Sequence, residues 1–136
     1  MAATVAVIRF LDQERCRELL TEASVGRVAV VVNGVPEVVP VNYGVLDGDV
    51  VFRSGTGTKL HAALAEQPVS FEVDRIDEAT RTGWSVLLSG TSSIVSDPDE
   101  RAKVEALGLD AWAPGRRDDI VRVRADLVSG REITRP

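Results

Sequence analysis

The sequence predicts a mainly β domain with a few short helices, closed or partly closed into a barrel. Three observations predict it. Short valine-rich segments recur along the chain, and branched side chains at Cβ suit a pleated surface. Asn33-Gly34 and Asp47-Gly48, the dipeptides that make two-residue hairpins, separate some of them. The alternation of strands with long helices that a parallel, doubly wound sheet needs is absent.

In chain order, residues 11–22 are expected to form a helix, with Asp12 as its cap and Leu11, Leu19 and Leu20 on its apolar face. Gly26 ends helical character. Residues 28–32 are a continuous apolar run, as in a buried strand. Asn33-Gly34 turns the chain into a return strand over 35–45, which contains Pro36 and Pro40. Proline cannot donate to a ladder, so this strand belongs at an edge or carries a bulge. Asp47-Gly48 leads into a third strand over 49–53, giving a three-strand meander. Residues 54–58 form a loop and 59–66 a short helix, since Leu60, Ala63 and Leu64 share one face. A fourth strand follows over 69–73, then a polar turn over 75–82, a long fifth strand over 83–95, and a helix opening at 96–100. Residues 110–117 read as an irregular loop, and 120–127 as a sixth strand.

The 136 residues fit one domain, 1–136. Apolar residues make up 44% and aromatics only 4%, so a core forms and disorder is not expected. The net charge is −5. That argues against a nucleic-acid binder, which needs a basic face, but leaves room for a local basic pocket. Cys16 is the single cysteine; no internal disulfide or cysteine-based zinc site follows, and packing on the first helix is expected. No apolar run approaches the roughly 20 residues of a membrane-spanning helix. No signal-peptide pattern opens the chain, so the cytoplasm is the expected location and no membrane partner is expected.

The segment Ser54-Gly55-Thr56-Gly57-Thr58-Lys59 carries the sharpest chemistry. Small residues let backbone approach a ligand, hydroxyls and N–H groups at a helix start favour an anion, and Lys59 adds a charge. Arg53 adds a second charge. The order Thr58-Lys59-Leu60 is not that of a Walker loop. The segment reads either as a phosphate cradle or as a plain strand-to-helix loop with a solvated lysine. In Pro40-Val41-Asn42-Tyr43 the proline leaves neighbouring backbone groups open to a flat polar ring that Tyr43 could line; the plainer alternative is an edge strand with a core tyrosine. Trp84 either walls a pocket or packs in the core. Trp112, near Arg116 and Arg117, reads as a pocket lid or subunit contact, or as part of a surface loop whose arginines pair with Asp118 and Asp119. His61, the only histidine, reads as structural, and Asp97 and Asp99 as caps or solvated groups.

Taken together, Gly26-Arg27-Val28-Ala29, Pro40-Val41-Asn42-Tyr43, Phe52-Arg53-Ser54 through Lys59-Leu60, Pro68 through Asp74, and Gly83-Trp84-Ser85-Val86 with Gly90 resemble the pyridoxamine 5′-phosphate oxidase-like family of flavin-binding split barrels. The resemblance extends to Trp112 through Arg116 and Ser129-Gly130-Arg131, and covers roughly residues 15–133. It implies a six-stranded Greek-key split β-barrel, a homodimer, and FMN at the dimer interface. It places the FMN phosphate at Ser54, Thr58 and Lys59; Arg53 and Thr56, from the reading of the segment itself, are expected to bind alongside. The ring lies along Val39, Pro40, Val41, Asn42 and Tyr43, near Trp84. Trp112 and Arg116 come from the partner subunit. The basic residues by which true pyridoxamine phosphate oxidases hold substrate include a C-terminal Arg and His; residues 133–136 contain no His, which points away from that substrate. The expected activity is flavin-dependent oxidoreduction of a small molecule, with no catalytic residue assigned. The alternatives are a reductase using a deazaflavin coenzyme, and a non-enzymatic flavin- or haem-binding module.

Overall fold

Asp12 opens the first helix, as expected: its backbone is extended and its carboxylate accepts from the Arg15 N–H at 2.8 Å. The computed structural model describes residues 5–55, 62–65, 67–109 and 119–135. A short strand, β1 (Val7–Phe10), precedes this helix, α1 (Gln13–Leu20). Then come β2 (Val25–Val32), β3 (Val35–Asn42), β4 (Gly44–Leu46), β5 (Asp49–Ser54), β6 (Gln67–Asp77) and β7 (Thr82–Ile94). The helix α2 (Pro98–Glu105) and the strands β8 (Asp119–Val123) and β9 (Leu127–Thr134) complete the described elements. Strands dominate, arranged as one curled antiparallel sheet in the order β3-β2-β6-β7-β8-β5-β4, with β9 on β7 and β1 on β9. This is a split β-barrel.

The split originates in β7. One edge of this strand pairs with β6 over residues 82–92. The other edge pairs first with β9 (residues 83–89) and then with β8 (residues 92–94). Gly90 stands at the changeover, where a Cβ would lie 1.9 Å from the Arg124 carbonyl oxygen.

Both predicted hairpins form through residues of positive φ: Asn33 (50°) with Gly34 (78°), and Asp47 (50°) with Gly48 (85°). These angles make type I′ turns, whose twist matches the flanking strands. β3 is an edge strand paired only with β2, as its prolines require. Pro36 and Pro40 face Val31 and Arg27. Counting back from the tight turn, both are non-hydrogen-bonded positions. The Tyr43 N–H donates to the Ser24 carbonyl at 3.0 Å, which fits that alternation. The prolines therefore remove no bond to β2, and they take two donors from the free edge.

Three expectations are corrected. The 35–45 strand breaks at Tyr43 into β3 and β4, and β5 pairs with β4 and β8 rather than β3, so the meander is interrupted. β6 runs on through Asp77, well into the expected polar turn, because β7 supplies a full-length partner. Finally, β1 and β9 raise the strand number above six; β1 is exposed throughout and offers no burial pattern to read.

The main core gathers Val28, Phe52, Phe71, Val73, Val86 and Leu88 inside the sheet, under Cys16, Leu19 and Leu20 of α1. Cys16 is buried, as its helical packing predicts. A second cluster places Val51 and Ile120 against Val104 of α2. β5 is thus covered on both faces, which is why its apolar run is unbroken. Arg122 secures α2 to the sheet by donating to Asp49 at 2.8 Å and Glu100 at 2.9 Å. Asp97 caps α2 through the Glu100 N–H.

Ser92 is fully buried, and its hydroxyl donates to the Leu64 carbonyl at 2.7 Å. It ties the helical residues 62–63 and buried Leu64 to β7. Ser92→Ala leaves that carbonyl without its donor and is expected to cost about 1–3 kcal/mol. Urea unfolding should show a lower midpoint at unchanged slope; an unaltered midpoint would mean that the bond contributes nothing net.

Candidate functional site

The break between β3 and β4 is the local feature that shapes the site. Tyr43 turns its ring into the core, where it meets Phe71 edge-on with centroids 4.7 Å apart. Its hydroxyl donates to the Leu20 carbonyl at 2.5 Å. Burial pushes the phenol up to about 12, so it stays protonated. The ring thus takes the core position foreseen as the plainer alternative, while the residue's surface still borders a hollow of about 220 Å³. Asn42, Gly44, Leu107, Gly108 and Leu109 line that hollow with it.

β5 approaches the same place. It contacts β3 across the split, although no hydrogen-bonded ladder joins the two. Arg53 donates from Nε to the Leu109 carbonyl at 2.9 Å, and its guanidinium pairs with Glu105 at 2.5 Å. Arg53 therefore bridges β5 to the end of α2. Ser54, next along, is buried and stands opposite Asp119 of β8. Val39 and Val41 pack partly against the core, and Pro40 faces outward.

The structure thus brings Asn42, Tyr43 and Arg53 around the 107–109 segment, with Ser54 at the end of β5. Trp84 does not join them. It stands opposite Arg75, packs against the main core, and lines a separate hollow of about 390 Å³. Thr56, Thr58, Lys59, Trp112 and Arg116 lie outside the described residues.

A charged cluster on the outer face of the sheet escaped the sequence reading. Arg27 of β2 reaches Glu72 at 3.1 Å and Asp74 at 3.3 Å, both on β6. Desolvation pushes the Glu72 carboxyl up to about 7, helped by the hydrogen bond and negative charge of Asp74 and opposed by Arg27. Glu72, Asp74 and Arg131 of β9 all line the 390 Å³ hollow that Trp84 borders. The signal was present in the alternation of Phe71 and Val73 with Glu72 and Asp74, which puts both carboxylates on one face. The cross-strand arginine lies 45 residues away. Among the described residues, no group of three or more His, Cys, Asp or Glu could hold a metal, and no helix is long and apolar enough to cross a membrane.

The comparisons with known proteins agree with this architecture. An uncharacterised protein of Mycobacterium tuberculosis is 33% identical over 125 residues, 88% of this chain and 82% of that protein. A solved structure of a Corynebacterium diphtheriae protein of unknown function superposes with a TM-score of 0.78 at 34% identity, covering 93% of this chain and 98% of that one. The FAD-binding protein of Mycobacterium smegmatis superposes at 0.73 with 28% identity, again over 93% and 98% of the two chains. The family described as pyridoxamine 5′-phosphate oxidase matches residues 12–132. With most of its length so matched, on a split barrel, the chain belongs to the pyridoxamine 5′-phosphate oxidase family.

Proposed function

We propose that this chain binds FMN, works as a homodimer, and uses the flavin to oxidise or reduce a small molecule. The observation that carries the reading is the meeting of β3 and β5 at the split. There Asn42 and Tyr43, at the end of the stretch proposed to hold the ring, border a hollow whose rim Arg53, just before the proposed phosphate segment, reaches through the Leu109 carbonyl. The FAD-binding relative from Mycobacterium smegmatis, on the same fold, supports a flavin ligand.

Ser54 and Gly55 suit the polar end of a flavin: a hydroxyl at the close of a strand, then a residue without a side chain to obstruct backbone approach. Arg53 suits it less, since its guanidinium already holds Glu105 and the Leu109 carbonyl. The phosphate then falls to Ser54, Thr56, Thr58 and Lys59, with Trp112 and Arg116 of the partner subunit closing the pocket. The flavin supplies the redox step when bound; the chain orients it and sets the charge around it. The long acidic tail of a deazaflavin coenzyme fits a chain of net charge −5 less well. FAD is the second reading, favoured by the relative's ligand.

The test is titration with FMN, FAD, riboflavin and haem, followed by absorbance and flavin fluorescence, with light scattering on the loaded protein. The expected result is preferential binding of FMN with a perturbed flavin spectrum, by a dimer at micromolar concentration. Tighter FAD binding would favour the second reading, haem alone would overturn both, and a monomer with FMN bound would remove the dimer. Turnover with a reductant and an electron acceptor is expected of an enzyme; its absence would indicate a carrier.

A further inference from the structure

Successive side chains of β5 point to opposite faces of the sheet. Val50 and Phe52 belong to the main core, whereas Val51 belongs to the cluster packed against α2. By the same alternation Arg53 lies on the α2 face and Ser54 on the core face, where it is buried. Neighbours in sequence, the two present their polar groups on opposite sides of the strand.

Arg53 spends its donors on one short piece of chain. Its Nε donates to the Leu109 carbonyl at 2.9 Å, and Nη2 donates to the Glu105 carboxylate at 2.5 Å. Glu105 is the last residue of α2, and Leu109 follows the turn that Gly108 makes at a φ of 67°. Leu107, Gly108 and Leu109 line the hollow of about 220 Å³ together with Asn42, Tyr43 and Gly44. Gly44 has no side chain, so Leu107 reaches over the β3–β4 break: a Cβ there would stand 3.3 Å from its Cδ1. The Arg53 side chain is only 18% exposed, which withdraws it from an incoming anion, while that of Glu105 is 51% exposed.

We propose that Arg53 and Glu105 are positioning residues of the flavin site: they hold the 107–109 segment against the hollow and so act on the ring end of the cofactor, not on its phosphate. This rests on the reading that the β3–β5 end of the barrel holds FMN, and it assigns two residues a role there. The planar guanidinium serves both acceptors at once, in a fixed geometry. A segment fastened before binding has less freedom to lose when the ligand arrives, so the hold contributes affinity without a contact to the ligand. A ligand that lacks the phosphate gains from it as much as one that has it.

The experiment is titration of the full chain with FMN and with riboflavin, on native protein, Arg53→Gln, Glu105→Gln and the double variant. Hydrogen exchange at the Leu107 and Gly108 amides, which donate to Val104 and Glu105, is followed alongside. Each single variant should weaken FMN and riboflavin by the same factor, roughly 2- to 30-fold. The double variant should be little worse than Arg53→Gln, because both changes break one hold. The two amides should exchange faster in the variants and slower in native protein once either ligand is bound, a local change that general destabilisation would not confine to this turn. Glu105 is half in water, so Glu105→Gln is expected to fold even if Arg53→Gln does not. Loss of FMN affinity alone in Arg53→Gln would place its guanidinium on the phosphate and overturn the proposal. Tighter FMN with unchanged riboflavin in Glu105→Gln would do the same, since the carboxylate would then only compete with the phosphate for Arg53. Native binding matched by every variant would overturn the proposal and leave the flavin reading standing. A native protein that binds neither ligand would remove both.

Discussion

Gly90→Ala is expected to destabilise the chain by about 3 kcal/mol or more, the upper end of what overpacking costs. A Cβ at this position would lie 1.9 Å from the Arg124 carbonyl oxygen and 2.8 Å from its carbon. Both are backbone atoms, and that backbone is itself anchored, since the Arg124 N–H donates to the Thr91 carbonyl at 3.2 Å. Relief requires β7 to separate from the connection between β8 and β9, at the point where β7 changes partners. Thermal unfolding should show the melting temperature falling by roughly 10 °C or more for a domain of this size. Gly44→Ala is the control. Its new methyl would meet the Leu107 Cδ1 at 3.3 Å, the end of a flexible side chain, and the cost should stay within about 1 kcal/mol. Equal effects at the two positions would mean that β7 is free to yield at its changeover.

Lys59→Ala is expected to weaken FMN binding about 10- to 150-fold, the loss of a charge-assisted contact of roughly 1.5–3 kcal/mol, while leaving riboflavin nearly unchanged. Riboflavin has the ring and ribityl chain but no phosphate, so the difference isolates the ammonium–phosphate contact. Screening by water places the effect toward the lower end if the pocket is open. Added salt should weaken FMN in the native protein and matter less in the variant. Thr58→Ala should cost less, because it removes a neutral donor. Fluorescence titrations of both ligands on native and variant protein make the comparison. An equal loss for both would assign Lys59 to the ring or to support of the loop, and no loss for either would make 54–59 a plain strand-to-helix connection.

Much of the architecture was legible because its signals are local. Asn33-Gly34 and Asp47-Gly48 need positive φ, and both turns are where those dipeptides stand. Pro36 and Pro40 limited their strand to an edge or a bulge, and β3 is an edge strand with one ladder neighbour. Asp12 and Asp97 cap the helices they precede. What escaped depends on distant partners. Side-chain alternation tells which face a residue occupies but not which strand lies beside it, so the sharing of β7 between β8 and β9 was invisible. β9 mixes Ser129, Gly130 and Glu132 among its apolar residues, and pairing with β7, not strand propensity, makes it a strand.

The surroundings of the candidate residues were legible only in part. Asn42 and Tyr43 line one hollow, Arg53 donates to the Leu109 carbonyl at its rim, and Trp84 lines a different hollow. Arg53 illustrates the limit most clearly. Next to a phosphate-like loop it reads as a second positive charge, yet Glu105, 52 residues further on, engages it. The Tyr43 ring follows the same logic, because Leu20 and Phe71 hold it in the core.

The central claim is that the β3–β5 end of the barrel holds FMN. Its most direct test is the identity of whatever chromophore the purified protein carries. The protein should be yellow, and denaturation should release FMN, identified by its mass and by flavin fluorescence, in an amount comparable to the chain. Release of haem or a deazaflavin instead, or a colourless protein that fails to take up added FMN, would contradict the account.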